Sequence, residues 1–237
     1  VTHEDRHDFN YIGPWNYIRD GVRRKLRNIR GVSDLYDTFE PKEDCVFFPL
    51  HYEPEISLSL YAPFVPDQIS AVKQVARALP VGYVLYVKEH PAMLNYRSRK
   101  YYKKLLEIPN VRLVSPYLKA PELANRAQVT LVITGTVGWE AVLARRPVIT
   151  FGNVYFNRLS FVKRCRDIEQ LPYLIKEQLE HFAYDEEELI DFLGSLWEDS
   201  VEYDFFRLWH MDVSAIRKDE GFQHFMEKLA SKLLPHS

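Results

Sequence analysis

At 237 residues, with 46% hydrophobic and 27% charged residues, the chain is long enough to bury a core and has the balance of a soluble globular protein. Lys plus Arg number 31 against 33 Asp plus Glu, a net charge of -2, so the total charge argues against nucleic acid as a partner. No apolar run approaches the ~20 residues of a membrane span, and VTHEDRHDFN lacks a signal-peptide core, so a cytoplasmic protein is expected.

The chain starts at Val1 rather than Met and is expected to be a piece of something longer. Residues 1–43 form a first segment carrying Trp15, Tyr17 and IRDGVRRKLRNIR. There Ile18, Val22, Leu26 and Ile29 fall on one helical face, with Arg19, Arg23, Arg24, Lys25, Arg27 and Arg30 around the rest. Such a helix can lie on an anionic membrane surface. The preferred reading is a linker helix packed on the next domain, because basic faces are usually just solvated.

From residue 44 apolar runs alternate with helical patterns. Cys45–Leu50 reads as the first strand, Asp67–Leu79 as a helix, Val81–Val87 as the second strand and Tyr96–Leu106 as a basic, aromatic helix. Val111–Val114, Val129–Ile133 and Pro147–Phe151 read as further strands, with helices at Pro121–Ala127 and Val137–Ala144 between them. This order predicts an α/β, Rossmann-like domain over 44–184, a parallel sheet with helices on both faces. From Asp185 to 237 the chain turns acidic and helical, with apolar faces at Leu189, Phe192, Leu193, Leu196 and Trp197, and at Phe222, Phe225, Met226, Leu229 and Leu233. Cys45 and Cys165 are far apart and read as reduced structural cysteines, not a disulfide framework or a metal site.

In open parallel sheets ligands bind at the carboxyl ends of strands, where helix N-termini offer free N–H groups. Lys88, Glu89, His90 and Pro91 end the second strand, and Pro91 restricts His90 to extended backbone. An imidazole fixed there can donate to a phosphate oxygen. The fourth strand runs into Thr134-Gly135-Thr136-Val137-Gly138 ahead of a helix, gathering N–H groups and hydroxyls at a positive helix end. Glu140 in the first turn suits the dipole or accepts from a sugar diol. Taken singly, a His-Pro pair is more often structural and Thr-Gly-Thr is often a tight turn with an N-cap. Their shared rim favours a phosphate-containing ligand.

VKEHP and TGTVGWEAVLARRPVITFG resemble the His-Pro and Ser/Thr motifs of the bacterial capsule polysaccharide biosynthesis and export family, which includes Kdo transferases. CVFFPLHYEPE resembles its first strand and loop, with Leu50-His51 where Leu-Gln is expected; the likeness covers roughly residues 44–157. The resemblance implies the C-terminal, donor-binding domain of a GT-B glycosyltransferase acting on a nucleotide-activated sugar, commonly a CMP-sugar, with a growing glycan as acceptor. By position it implies that His90 contacts the donor phosphate, Thr134 and Thr136 bind phosphate from the helix end and Glu140 binds ribose, with Lys88, Pro91, Gly135 and Gly138 at the same donor nucleotide site. The loops holding His51, Tyr52 and Glu53, and Asn153 and Tyr155, would line the cleft, with His90 and Glu53 as catalytic candidates.

No cofactor and no metal is expected, since donors already at the phosphate stabilise a departing nucleotide and no Asp-x-Asp pair is present. Residues 1–43 are too few for a Rossmann domain, so an N-terminal acceptor domain is expected elsewhere. Contact with an inner membrane or export machinery stays open. So do two alternatives, a non-catalytic nucleotide-sugar or glycan binding module and a GT-B-like UDP-GlcNAc 2-epimerase.

Overall fold

The computed structural model describes residues 14–39, 44–53, 56–65 and 67–233. Outside them lie part of the expected N-terminal segment, Pro54 and Glu55 of the loop after the first strand, and the side chains of Tyr17, Arg24, Arg27, Ile29 and Arg30 of the basic helix. The chain divides into two compact units, Val1–Tyr184 and Asp185–Ser237.

The first unit is built on one six-stranded parallel sheet. Its strands are β1 (Cys45–Pro49), β2 (Val84–Lys88), β3 (Val111–Val114), β4 (Val129–Val132), β5 (Val148–Thr150) and β6 (Val162–Arg164). A strand covered on both faces favours a near-continuous apolar run, and β1, β2 and β4 are buried throughout, with Lys88 and Thr130 the polar residues of β2 and β4. Helices α3 (Gln68–Ala78), α4 (Arg99–Leu106) and α7 (Leu171–Glu180) pack beside one another, burying Val72, Val75, Leu105 and Ile175 against Val46, Phe48, Leu85 and Leu131. Helices α5 (Ala120–Arg126) and α6 (Thr136–Leu143) form a second pair, burying Leu123, Ala124, Ala141 and Val142.

The strand order is β3-β2-β1-β4-β5-β6, that of a doubly wound dinucleotide-binding sheet. Winding runs outward from β1 to β3, then crosses back to β4 beside β1 and runs out the other way. The loops leaving β1 and β4 therefore diverge and open a crevice between them.

Several boundaries differ from the sequence expectation. Strand β2 begins at Val84 rather than Val81, because Val81 is fully exposed and Gly82 turns the chain at φ 94°. Helix α4 begins at Arg99 rather than Tyr96, behind a 3-10 turn at Pro91–Met93 and Asn95 at φ 70°. Helix α2 (Ile56–Tyr61), β6 and α7 were not expected. Strand β6 is a three-residue edge strand reading Val-Lys-Arg, with no apolar run to announce it. Helix α1 (Pro14–Arg30) forms, yet its described apolar residues Trp15, Ile18, Val22 and Leu26 are exposed, which corrects the packed-linker reading for these side chains.

The second unit contains α8 (Glu186–Asp199), α9 (Val213–Ile216) and α10 (Glu220–Leu233). Asp185 caps α8 by accepting from the Glu188 N–H, and three glutamates fill its first turn, where the helix dipole favours them. Tyr203, Phe205, Phe222 and Phe225 stack edge-on or tilted at centroid spacings of 5.0 to 6.4 Å. Lys228 donates to the Glu198 and Ser200 carbonyls, and Lys232 pairs with Asp199 at 2.6 Å, tying α10 to the end of α8. Of the expected apolar face of α8, Leu189 is buried and Trp197 is exposed.

Candidate functional site

A cleft of about 560 Å³ opens at the carboxyl rim of the sheet. Pro49 and Leu50 after β1, Lys88 to Pro91 after β2, the Pro116–Pro121 loop after β3, and Val137 and Glu140 of α6 line it. The structure thus brings together Lys88, His90, Pro91 and Glu140. Thr136 starts α6 one residue before Val137, while Tyr52, Asn153 and Tyr155 stand outside the lining of this cleft.

The charged end of β2 is resolved into two roles. Glu89 is buried and wholly occupied, accepting from Arg97 Nη1 at 2.7 and 2.9 Å, from Tyr102 Oη at 2.9 Å and from the His90 N–H at 2.7 Å. Arg97 also lies over the Tyr101 ring at 4.7 Å. This ion pair holds the loop rigid from below. Burial, reinforced by the Glu89 charge, pushes the Tyr102 phenol above its ordinary pKa.

Lys88 is different. It is 5% exposed, and its Nζ reaches the Glu89 carbonyl at 3.4 Å, with no carboxylate of the described residues within ion-pair distance. Burial holds its pKa below the ordinary lysine value, opposed by the neighbouring Glu89 charge. A buried ammonium without a counter-ion at the wall of a cleft is suited to an anionic ligand.

His90 adopts the extended backbone that Pro91 demands, at φ -66° and ψ 128°. Its Nδ1 accepts the Ala92 N–H at 3.2 Å, which leaves the imidazole proton on Nε2 as a donor. The ring meets Tyr52 edge-on at 6.1 Å.

At the end of β4, Gly135 is the N-cap of α6 with φ 95°, a conformation open to glycine, and it brings no side-chain acceptor for the first N–H groups of the helix. The alternative reading of Thr-Gly-Thr as a hydroxyl-capped turn therefore does not describe the start of this helix. Thr134 is 2% exposed and its Oγ1 has no hydrogen-bond partner, while Thr136 is exposed. Gly138, expected at the nucleotide site, is packed closely. A Cβ there would stand 2.7 Å from Val132 Cγ2 and 3.1 Å from Phe156 Cζ, so its absence lets α6 lie close on β4.

His51, Glu53 and Gln68 join the two strand exits. The Thr134 N–H donates to His51 Nε2 at 2.9 Å, a bond across the β1–β4 crevice. The His51 backbone is clamped in turn: its N–H donates to Gln68 Oε1 at 2.7 Å, and its carbonyl accepts from Gln68 Nε2 at 3.2 Å and Arg97 Nη2 at 2.8 Å. Glu53 accepts from Gln68 Nε2 at 2.5 Å and pairs with Arg97 at 3.0 Å. Both carboxylate oxygens are engaged, which disfavours the catalytic role expected of Glu53. His51 Nε2 is likewise committed to Thr134. Sequence reasoning missed Arg97, Gln68 and the structural part of Glu89. Glu89 alone had a signal, a carboxylate at the end of a buried strand.

Asn153 and Tyr155 lie on the loop after β5. The Asn153 N–H donates to the Tyr61 carbonyl at 2.7 Å and its Oδ1 accepts from Arg164 at 3.0 Å. Tyr155 stacks on Trp139 at 5.5 Å, bracing the outer side of α6. No helix of the described residues is long and apolar enough to cross a membrane.

FixF of Sinorhizobium fredii (strain NBRC 101917 / NGR234) is 28% identical over 154 residues, 64% of this chain and 37% of FixF, so the chain spans little more than a third of that relative. The β-Kdo 2,7 transferase KpsC of Thermosulfurimonas dismutans aligns with a TM-score of 0.45 and 17% identity over 78% of this chain and 64% of that one. A UDP-GlcNAc 2-epimerase from Neisseria meningitidis aligns with a TM-score of 0.43 and 13% identity over 77% of this chain and 53% of that one. Residues 2–161, more than half of the chain, match the family described as Capsule polysaccharide biosynthesis protein, and the chain belongs to that family.

Proposed function

We propose that this chain is the donor-binding part of a glycosyltransferase that builds a capsule or related surface polysaccharide, using a nucleotide-activated sugar of the CMP type in the cytoplasm. The observation that carries the reading is the cleft in which the unpaired Lys88 ammonium, the His90 Nε2 donor and the Glu140 carboxylate meet. His90 donates to a phosphate oxygen of the donor and Lys88 balances its charge. Thr134 Oγ1, Thr136 and the first N–H groups of α6 add donors at the positive helix end, and Glu140 accepts from ribose hydroxyls. These donors stand in place before the sugar–phosphate bond breaks, so they stabilise the departing nucleotide without a metal ion. The base that deprotonates the acceptor hydroxyl lies outside this cleft, in keeping with the engaged state of His51 and Glu53.

Calorimetry and thermal shift with CMP, CDP, UDP and ADP on the full chain test this. Binding of CMP or CDP should raise the melting temperature by mass action, and His90→Ala should weaken it by about tenfold or more without unfolding the chain. Preference for UDP would turn the reading towards the epimerase chemistry. Binding of none of the four by the folded chain would remove the nucleotide assignment.

A further inference from the structure

Helix α1 carries Trp15, Ile18, Val22 and Leu26 at spacings of three, four and four, one stripe along a single face. All four are exposed, at 75%, 57%, 51% and 60%. The partly buried apolar residues that flank the core begin at Val32, and no described side chain of α1 joins them. A stripe of roughly 16 Å that the other described residues leave exposed is suited to a partner.

The surroundings of the stripe state its chemistry. Arg19, Arg23 and Lys25 are exposed beside it, and the one acid among the described side chains of α1 is Asp20, 3.6 Å from Arg19 and 3.8 Å from Arg23. Leu26 shares a hollow with Lys100 of α4, and that helix adds exposed Lys103 and Lys104. Arg99 in the same hollow is already tied to Asp34.

We propose that α1, with the adjoining edge of α4, is a docking surface for an anionic lipid bilayer. The stripe enters the boundary between headgroups and acyl chains, Trp15 anchoring one end, while the arginines and lysines face lipid phosphates. Charge complementarity selects this occupant. Pairing α1 with α1 of a second copy would set its cations against one another, and a row one residue wide with cations beside it suits a plane better than a groove. The inference is independent of the nucleotide assignment.

Co-sedimentation of the full chain with phosphatidylcholine vesicles, with and without about 30% phosphatidylglycerol, is the test. Binding should be about tenfold stronger or more to the anionic vesicles, and should fall with added salt. The double substitution Arg19→Glu/Arg23→Glu should weaken it about tenfold, and Ile18→Asp/Val22→Asp should abolish it. Neither should move the melting curve, because these side chains lie outside the core. Equal binding to both vesicles, or none at low salt, would overturn the proposal. So would concentration-dependent self-association without lipid that Ile18→Asp/Val22→Asp removes, which would assign the stripe to a protein contact.

Discussion

The exits of β2 and β4 lie on the same rim of the sheet, yet different physics holds each of them. At β2 the loop is fixed by charge: the buried Glu89 carboxylate accepts from Arg97, Tyr102 and the His90 backbone, and Arg97 reaches on to His51 and Glu53. At β4 it is fixed by backbone geometry, a left-handed glycine at Gly135, a missing side chain at Gly138 and one bond to His51. The first arrangement positions side-chain donors, the second exposes main-chain donors. Each leaves a polar group incompletely answered by protein: Lys88 Nζ has the Glu89 carbonyl at 3.4 Å but no carboxylate of the described residues in ion-pair reach, and Thr134 Oγ1 has no hydrogen-bond partner.

The sharpest way to break the comparison is Arg97→Met. It strands Glu89 as an uncompensated buried charge, and we expect a loss of about 3 to 5 kcal/mol in denaturant unfolding. Gly138→Ala comes next. Its Cβ would overlap Val132 and Phe156, so about 1 to 3 kcal/mol should be lost, with no specific effect on ligand affinity beyond that of shifting α6.

His51 joins the two exits, and its substitutions separate them. His51→Ala leaves the buried Thr134 N–H unsatisfied, costing about 1 to 2 kcal/mol and weakening CMP or CDP binding, whereas His51→Gln places Oε1 where Nε2 stood and should restore both. Calorimetry on the two variants checks this, and equal loss in both would show that the ring, not the acceptor, matters.

The smallest effect concerns Lys88. Replacing it with Met removes a buried unpaired ammonium and should raise stability by about 1 kcal/mol at neutral pH while weakening nucleotide binding. The folded pKa of Lys88 lies below its ordinary value of 10.5. The unfolded chain therefore holds the proton more tightly than the fold, and wild-type stability recovers relative to the variant as pH rises through the depressed pKa towards 10.5. Urea melts of both proteins across this range should show the gap closing. The raised pKa of the Tyr36 phenol, about 12 and due first to burial and then to Glu89, acts on both alike and leaves the difference unchanged.

Much of this molecule is legible along the chain. Strand β3 and helix α3 stand within a residue of where apolar runs and periodicity put them, because strands buried on both faces and half-buried helices must write those patterns. Lys88 and His90 follow from strand-end logic, whereas the sequence puts Glu140 in the first turn of α6, which the helix start at Thr136 leaves without an acidic residue. The partners of Glu89 do not: Arg97 and Tyr102 lie eight and thirteen residues away, beyond any local rule, and their choice depends on how α4 lies on the sheet. The packing at Gly138 is illegible for a related reason, since a glycine after a strand reads the same whether or not a side chain packs against it.

The sequence by itself determined the alternation of strands and helices, the parallel sheet that alternation requires, and the polar residues left at the strand ends. Those are consequences of local burial and of backbone sterics. Only the tertiary structure decided that β4 lies beside β1, so that His51 reaches Thr134 across 83 residues of chain, that Glu53 is held by Gln68 and Arg97, and that the apolar stripe of α1 faces outward. Such pairings depend on which surfaces meet, and that is set by the summed packing of the whole unit rather than by any one segment.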